Sequence, residues 1–387
     1  MIHRFQVTLY EWDEDTKTWS ETPVYLTEAY DVQVSTALGD TRDTFNFKLN
    51  NHRNTVIDII KAQDKITIHS LINGATATDS NLLITGLVKL VSEQVTDKGR
   101  ILRIEGVSFG EITTTGLVFH NTATSHTDNV MTFLRACLNS VALRNTNFNI
   151  TWSSTNPTLK FNTTTGAYDG SAFPTLNSGN QVREFDKSLA AVLDKYLVDG
   201  YTGDGKYYWY VNTSNELVIR KRYVGDTNPT PLIEGSNIKT LKTGIDVGDV
   251  KNYVIVKCGK DLDNRPITTR ADDPVSRAKH GFKYYIYVDE QIAEKIRQTG
   301  AYSGDNDAFR EAVKADGRKA GQDFIQLHNQ GVIKADVIIA PSVTFTIGDK
   351  VNLTAPSYNL TNKTLRIKDM TYDIDSTTIG LVEEVVQ

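Results

Sequence analysis

The sequence predicts a mainly β protein with α+β parts: two similar antiparallel β-barrel domains, a middle α/β domain and a helical insertion. Three observations carry that reading. A short pattern occurs twice, as Gln63-Asp64-Lys65-Ile66-Thr67-Ile68 and as Gly348-Asp349-Lys350-Val351-Asn352-Leu353. Each copy follows a strand-like stretch and precedes a polar loop and an alternating strand, at 82–88 in the first and 365–370 in the second, as a duplicated β-unit would. Elsewhere the apolar period changes from two to that of a helix. The expected domains are 1–112 (first barrel), 113–244 (middle), 245–258 with 333–387 (second barrel) and 259–332 (insertion).

Taken in order, Phe5-Gln6-Val7-Thr8-Leu9-Tyr10 alternates apolar and polar residues, as do Val32-Gln33-Val34 and Phe45-Asn46-Phe47-Lys48-Leu49. One apolar and one polar face suits antiparallel strands with a solvated side. Residues 56–60 suit a short helix or a strand. Leu102-Arg103-Ile104-Glu105 ends the region after a turn at Asp97-Lys98-Gly99. In the middle domain Val130, Phe133, Leu134, Cys137, Leu138 and Val141 form one helical stripe, with Ser125 or Thr127 as its cap. Cys137 lies in that stripe and reads as a packed thiol. A second helix is expected from Asp186, with Leu189, Val192, Leu193, Tyr196 and Leu197 on its apolar face and Gly200 as its stop. Strands at 207–211 and 217–222 flank an Asn212-Thr213-Ser214-Asn215 turn, and the polar stretch 153–180 reads as a long loop or β-excursion. Tyr253-Val254-Ile255-Val256 is a buried-type strand. Helices are expected at 290–298 and 307–330, the second through Phe309, Val313, Ala320, Phe324 and Leu327, with a break at Gly317 or Gly321. Strands resume over 332–386.

The 387 residues are 39% apolar and 23% charged, the balance of a globular protein. No apolar run approaches the ~18 residues of a membrane span, and the N-terminus has no signal-type apolar core. The expectation is a chain folded in a cytoplasm without membrane anchoring. Cys137 and Cys258, far apart and the only cysteines, suggest no disulfide framework. A net charge of -5 lacks the basic stripe of a nucleic-acid binder, so no specific nucleic-acid binding is expected. Gly200-Tyr201-Thr202-Gly203-Asp204-Gly205-Lys206 approximates a phosphate-binding loop, but Tyr207 stands where Ser or Thr would hold magnesium. Its helix-then-strand context is also the reverse of the required order, so it reads as a helix stop and turn. Asp261, Asp263, Asp272 and Asp273 lack the spacing and closing Glu of a calcium loop and read as a solvated loop. The seven histidines form no HExxH, and there is no Gly-x-Ser-x-Gly elbow. No catalytic residue, metal ligand or cofactor is assigned, and the chain is expected not to be an enzyme.

The order of elements resembles the baseplate hub of contractile phage tails, a fold shared with the N-terminal part of type VI secretion spike proteins. Phe45-Asn46-Phe47-Lys48-Leu49-Asn50, Gln63-Asp64-Lys65-Ile66 and Leu83-Ile84-Thr85-Gly86-Leu87-Val88 are similar to its first barrel. Asp186-Lys187-Ser188-Leu189-Ala190-Ala191-Val192-Leu193 is similar to its middle-domain helix. Val250-Lys251-Asn252-Tyr253-Val254-Ile255-Val256 resembles the entry to the second barrel, and Ile347-Gly348-Asp349-Lys350-Val351 with Leu365-Arg366-Ile367 resembles its exit. The resemblance implies a virion structural protein of the tail baseplate, made and assembled in the host cytoplasm. It implies a homotrimer that joins a six-fold tail tube protein to a three-fold central spike protein, among other baseplate proteins, with both barrels docking on the tube. The chain ending after the second barrel favours a hub separate from its spike. The lumen of such a ring is expected to be neutral to acidic, so that DNA passes without sticking.

Two other classes compete. A receptor- or carbohydrate-binding tail protein would show exposed aromatics on a β face, for which Trp12, Trp19, Trp152 and Trp209 are candidates. A cell-wall hydrolase would need a carboxylate pair that no local motif announces. Under the duplication, Asp64-Lys65 should match Asp349-Lys350, Ile66 and Val351 should share a face, and Ile84 should fall near Ile367.

Overall fold

The computed structural model describes residues 2–39, 43–50, 60–96, 99–125, 130–142, 150–156, 181–194, 197, 207–221, 228–289, 291–302 and 304–383. Strand outweighs helix, 48% against 22%, so the chain is mainly β. It forms two compact units, Met1–Lys242 with Ala335–Val382 (unit 1) and Thr243–Lys334 with Glu383–Gln387 (unit 2).

The chain opens with β1 (His3–Tyr10), the hairpin β2 (Trp12–Asp13) and β3 (Thr18–Trp19), β4 (Val24–Tyr25), β5 (Tyr30–Ala37), β6 (Thr44–Asn50), β7 (Lys65–Ile72), β8 (Leu82–Thr96) and β9 (Gly99–Ser108). The middle region holds α1 (Ile112–Thr115), β10 (Leu117–Ser125), α2 (Val130–Ala142), β11 (Thr151–Trp152), β12 (Gln181–Ser188), α3 (Leu189–Leu193), β13 (Tyr207–Val211) and β14 (Glu216–Lys221). Then come β15 (Leu232–Ile233), β16 (Ile238–Asp246), β17 (Tyr253–Lys260), β18 (Pro266–Asp272), α4 (Pro274–His280), β19 (Tyr284–Val288), α5 (Gln291–Gln298) and α6 (Asn306–His328). The last strands are β20 (Val332–Ile339), β21 (Lys350–Ala355), β22 (Leu360–Tyr372) and β23 (Thr377–Val382).

The main sheet runs β16-β20-β23-β22-β5-β6-β9-β8-β7-β1-β4, with β21 also beside β22 and β15 beside β21. One order occurs in it twice. β5-β6-β9-β8-β7 and β16-β20-β23-β22-β21 have the same neighbours in space and the same succession along the chain. The closed barrels expected from sequence are not found among the described strands: the path is open at β16 and at β4. The reason lies in two long bulged strands. β8 shifts register between Val88 and Leu90, and β22 between Ile367 and Asp369. A bulge bends its strand and increases its twist. β22 therefore pairs with β21 through its first half and with β5 through its second. The two copies are joined side to side rather than each closing on itself.

Their cores fill equivalent space differently. In the first copy the buried Phe45 ring lies over two glycines, where a Cβ on Gly86 would meet Phe45 Cε1 at 3.0 Å and one on Gly106 would meet Phe45 Cζ at 2.2 Å. In the second copy Leu365 and Leu381 occupy the positions of Gly86 and Gly106, and both are buried. The Glu383 N–H donates to the Ile333 carbonyl at 2.8 Å, and counting two residues inward places the small, buried Ala335 opposite Leu381. One large and two absent side chains thus become one small and two of middle size, which keeps interior density while the sequence changes.

At the β5–β6 link the Asp43 carboxylate accepts the Ala37 N–H at 3.0 Å. Burial pushes this carboxyl from 3.8 up to about 7. The folded state then binds the proton more tightly than the unfolded chain, so this stabilisation is present below about 3.8 and is lost as pH rises through about 7. Asp43→Asn keeps the acceptor and removes the titration. Its melting temperature should gain on wild type progressively from pH 4 to pH 7 by thermal denaturation, and parallel curves would remove the assignment.

The middle region packs on its own core. Phe133, Leu134, Cys137, Leu138 and Val141 of α2 are buried with Leu189, Val192, Leu193 and Trp209. The helix stripe read from sequence is present, but its start differs: Ser125 ends β10, and Thr127 lies outside the described residues. Asp186, expected to start a helix, lies in β12, which pairs with β10. The cap is Ser188, whose hydroxyl accepts the Ala191 N–H at 3.2 Å. Tyr196, Gly200, the stretch 56–59 and most of 153–180 lie outside the described residues.

In unit 2, β17 pairs antiparallel with β18 and parallel with β19. The stretch 245–258, expected to enter the second β-domain, thus feeds a separate sheet, and β16 takes its place in the second copy. Helix α6 is unbroken where a break at Gly317 or Gly321 was expected. A Cβ on Gly317 would lie 2.3 Å from Cys258 Sγ, and one on Gly321 would lie 2.9 Å from both Ala271 Cβ and Val256 Cγ2. These residues, four apart on one helix face, let α6 approach the sheet closely, and the packing of Phe309, Val313 and Ile325 offsets their poor helix propensity. Asp261 is not a solvated loop residue. It is buried, accepts the Asp263 and Arg265 N–H groups at 2.9 and 2.8 Å, and pairs with Arg310 of α6. Asp273 caps α4 by accepting the Ser276 N–H at 2.9 Å.

Candidate assembly surface

The repeated acid–lysine turn is a structural anchor that occurs twice. Gln63 and Gly348 both have positive φ, 75° and 84°. In the first turn the Gln63 N–H donates to the Val88 carbonyl at 3.0 Å, and the Val88 N–H donates to the Asp64 carbonyl at 2.9 Å. In the second the Gly348 N–H donates to the Ile367 carbonyl at 3.0 Å, and the Ile367 N–H to the Asp349 carbonyl at 2.9 Å. Ile66 and Val351 are both fully buried, so they share a face as expected. The counterpart of Ile367 is Val88, however, not Ile84. Ile84 pairs with Ile68, and the matching second-copy residue is Lys363, opposite Leu353. The loop after β7 is longer than the loop after β21, which shifts any count made from the turn.

Each turn acid receives the module that precedes its copy. Asp64 accepts the Trp12 N–H at 2.8 Å and the Lys61 N–H at 2.7 Å, while burial raises its carboxyl above the usual range. Trp12 and Trp19, 5.1 Å apart across β2–β3, join it there, with Lys65 Nζ 4.1 Å from the Tyr10 ring centroid. Asp349 meets Arg220 of β14 at 3.6 Å. Beside it the buried Arg366 stacks on Tyr208, 4.7 Å from the ring centroid, and the Tyr208 hydroxyl donates to the Gly348 carbonyl at 2.9 Å. Trp209 is buried, with its indole N–H on Asp194 at 2.8 Å, and Trp152 is partly buried.

The junction between the copies is geometrically explicit. Val34, Ser35, Thr36 and Ala37 of β5 pair antiparallel with Tyr372, Thr371, Met370 and Asp369 of β22. The Ser35 and Thr371 hydroxyls are 3.1 Å apart, and Gln33 Nε2 donates to Asp373 at 3.1 Å. The equivalent stretch of β8 starts at Leu90 and, among the described residues, pairs only with β9. Among the described strands β16, the equivalent of β5, pairs with β20, and its first residue Ile238 also bridges Glu234. Leu90, Val95 and Ile245 are exposed there, at 49%, 70% and 67%. Sequence reasoning missed these edges because a free edge depends on which distant strand is absent.

Other groups singled out in the sequence do not gather. The segment 200–206 lies outside the described residues. Among the described residues no three His, Cys, Asp or Glu side chains group as a metal site, and no helix is long and apolar enough to cross a membrane. Among the described residues unit 2 exposes an aromatic strand edge, β19, with Tyr284 at 65% beside Phe282 at 58%.

No protein-family model matches the sequence, and no curated protein matches it. Solved structures do. The 43 kDa tail protein of prophage MuSo2 from Shewanella oneidensis aligns with a TM-score of 0.58 and 13% identity, over 97% of this chain and 97% of that one. A tail protein from Neisseria meningitidis MC58 aligns with a TM-score of 0.57 and 11% identity, over 98% and 96%. Prophage tail protein gp18 from Listeria monocytogenes EGD-e aligns with a TM-score of 0.54 and 13% identity, over 98% and 94%. The chain shares the fold of these phage tail proteins.

Proposed function

We propose that this chain is a structural hub of a phage-type tail baseplate. In this reading three copies form a ring that joins a six-fold tail tube to a three-fold central spike. The observation that carries it is the five-strand unit present twice in one chain, in the same spatial and sequential order. Two similar units per chain supply six similar surfaces from three chains, which is what a three-to-six adaptor requires. The full-length likeness to tail proteins agrees with this role. The domains that dock on the tube are then the two β-units, and the middle region and unit 2 make the contacts that need only three-fold symmetry. Its place is the virion baseplate, with assembly in the host cytoplasm, and no chemical step is assigned to it. Imaging of the native particle with an antibody to this chain should find three copies at the distal end of the tube. Label along the tube or on lateral fibres would overturn the reading. A second reading, receptor or glycan contact, is favoured by the exposed β19 edge of unit 2 alone. A glycan array should be blank under the hub reading.

A further inference from the structure

We propose that β16 of one chain pairs antiparallel with the free half of β8 in a second copy, reproducing the β5–β22 junction between chains. The argument is the duplication itself. β22 has three neighbours: β23 along one edge, and β21 then β5 along the other. Its counterpart β8 has β9 along one edge and β7 over the first half of the other, with the remaining half unpaired among the described residues. The strand that belongs there by equivalence is the counterpart of β5, which is β16. Within one chain six strands separate β16 from β8 in the sheet order, so the partner is another copy.

The strand register fits. The bulges at Val88/Leu90 and Ile367/Asp369 align Leu90, Val91, Ser92 and Glu93 with Asp369, Met370, Thr371 and Tyr372. Ser92, whose hydroxyl donates to the Arg103 carbonyl at 3.4 Å, therefore stands at the position where Thr371 meets Ser35. Open strand edges with exposed apolar side chains, here Leu90, Val95 and Ile245, are templates for strand addition. The contact is head to tail, so it repeats until it closes. Junctions inside and between chains then alternate around the ring. Closure at three copies rests on the hub reading above; the pairing itself does not.

Disulfide trapping of the full chain tests it. Ser92→Cys is combined in turn with Leu241→Cys, Lys242→Cys and Thr243→Cys, because opposed strand residues fall within the Cα separation a disulfide accepts, roughly 4.4–6.8 Å. The native Cys137 and Cys258 are buried, and burial raises the Cys258 thiol to about 11, so the background is silent. A Ser35→Cys/Thr371→Cys variant, which closes within one chain, reports that oxidation works. The expected result is a reducible ladder that ends at three chains for at least one β16 position, with Ser92→Cys alone stopping at dimers. If every pair stays monomeric while the internal pair oxidises, the proposal is overturned. If native-particle imaging still finds the chain at the tube end in that case, the hub reading stands and the pairing alone has failed. A ladder that runs past three chains would overturn ring closure.

Discussion

Gly106→Val should abolish folding of unit 1. A Cβ at this position would lie 2.2 Å from Phe45 Cζ and 2.3 Å from the Leu87 carbonyl oxygen. The ring could turn, but the carbonyl belongs to the sheet and cannot move without breaking the β8–β9 ladder. Overpacking of a well-filled core costs about 1–3 kcal/mol or more, and a backbone clash places this change at or above the upper end. Loss of soluble protein, or a fall in unfolding free energy of at least about 3 kcal/mol in urea, is the expected result. Gly244→Ala, where an added Cβ meets nothing within 4 Å, is the matched control and should remain within about 0.5 kcal/mol. Equal effects at both sites would show that the close packing at Gly106 does not matter.

Gly317→Leu should unfold unit 2 in the same way. The helix face at Gly317 touches Cys258 Sγ and Thr269 Cγ2, at 2.3 and 2.9 Å from an added Cβ, with Gly321 one turn on against Val256 and Ala271. A leucine there would push α6 off the sheet and expose the Val254, Val256, Phe309 and Val313 core. Limited proteolysis should cut rapidly within 259–332, while Lys319→Ala on the exposed face of the same helix leaves the digestion pattern unchanged. If Gly317→Leu resists the protease as wild type does, α6 does not depend on that close approach.

Much of this organisation is written locally. Alternation with period two marks Phe5 to Tyr10, Val32 to Val34 and Phe45 to Leu49 as strands, and the structure has β1, β5 and β6 there. The helical stripe through Phe133, Cys137 and Val141 needs only its own periodicity. The duplicated turn is legible because Asp64-Lys65 and Asp349-Lys350 sit in the same short pattern, and each turn closes with the same pair of backbone hydrogen bonds.

What only the tertiary structure decided are the quantities that depend on distant chain. A loop of different length moved the counterpart of Ile367 from Ile84 to Val88. The strand at Tyr253 was visible, but its parallel partner β19 lies across α4, and no local pattern states that pairing. Gly317 and Gly321 looked like helix breakers because their propensity is a local cost, and the sheet that rewards them is contributed by Val256, Cys258 and Ala271. Asp261 looked solvated because Arg310, the residue that pairs with it, is far along the chain. Sequence alone thus set the elements whose own period is clear, such as β1, β6 and α2, and that one β-unit occurs twice. Folding decided which edges the units share and which they leave open, because strand pairing is a choice among partners and periodicity describes only the strand that chooses.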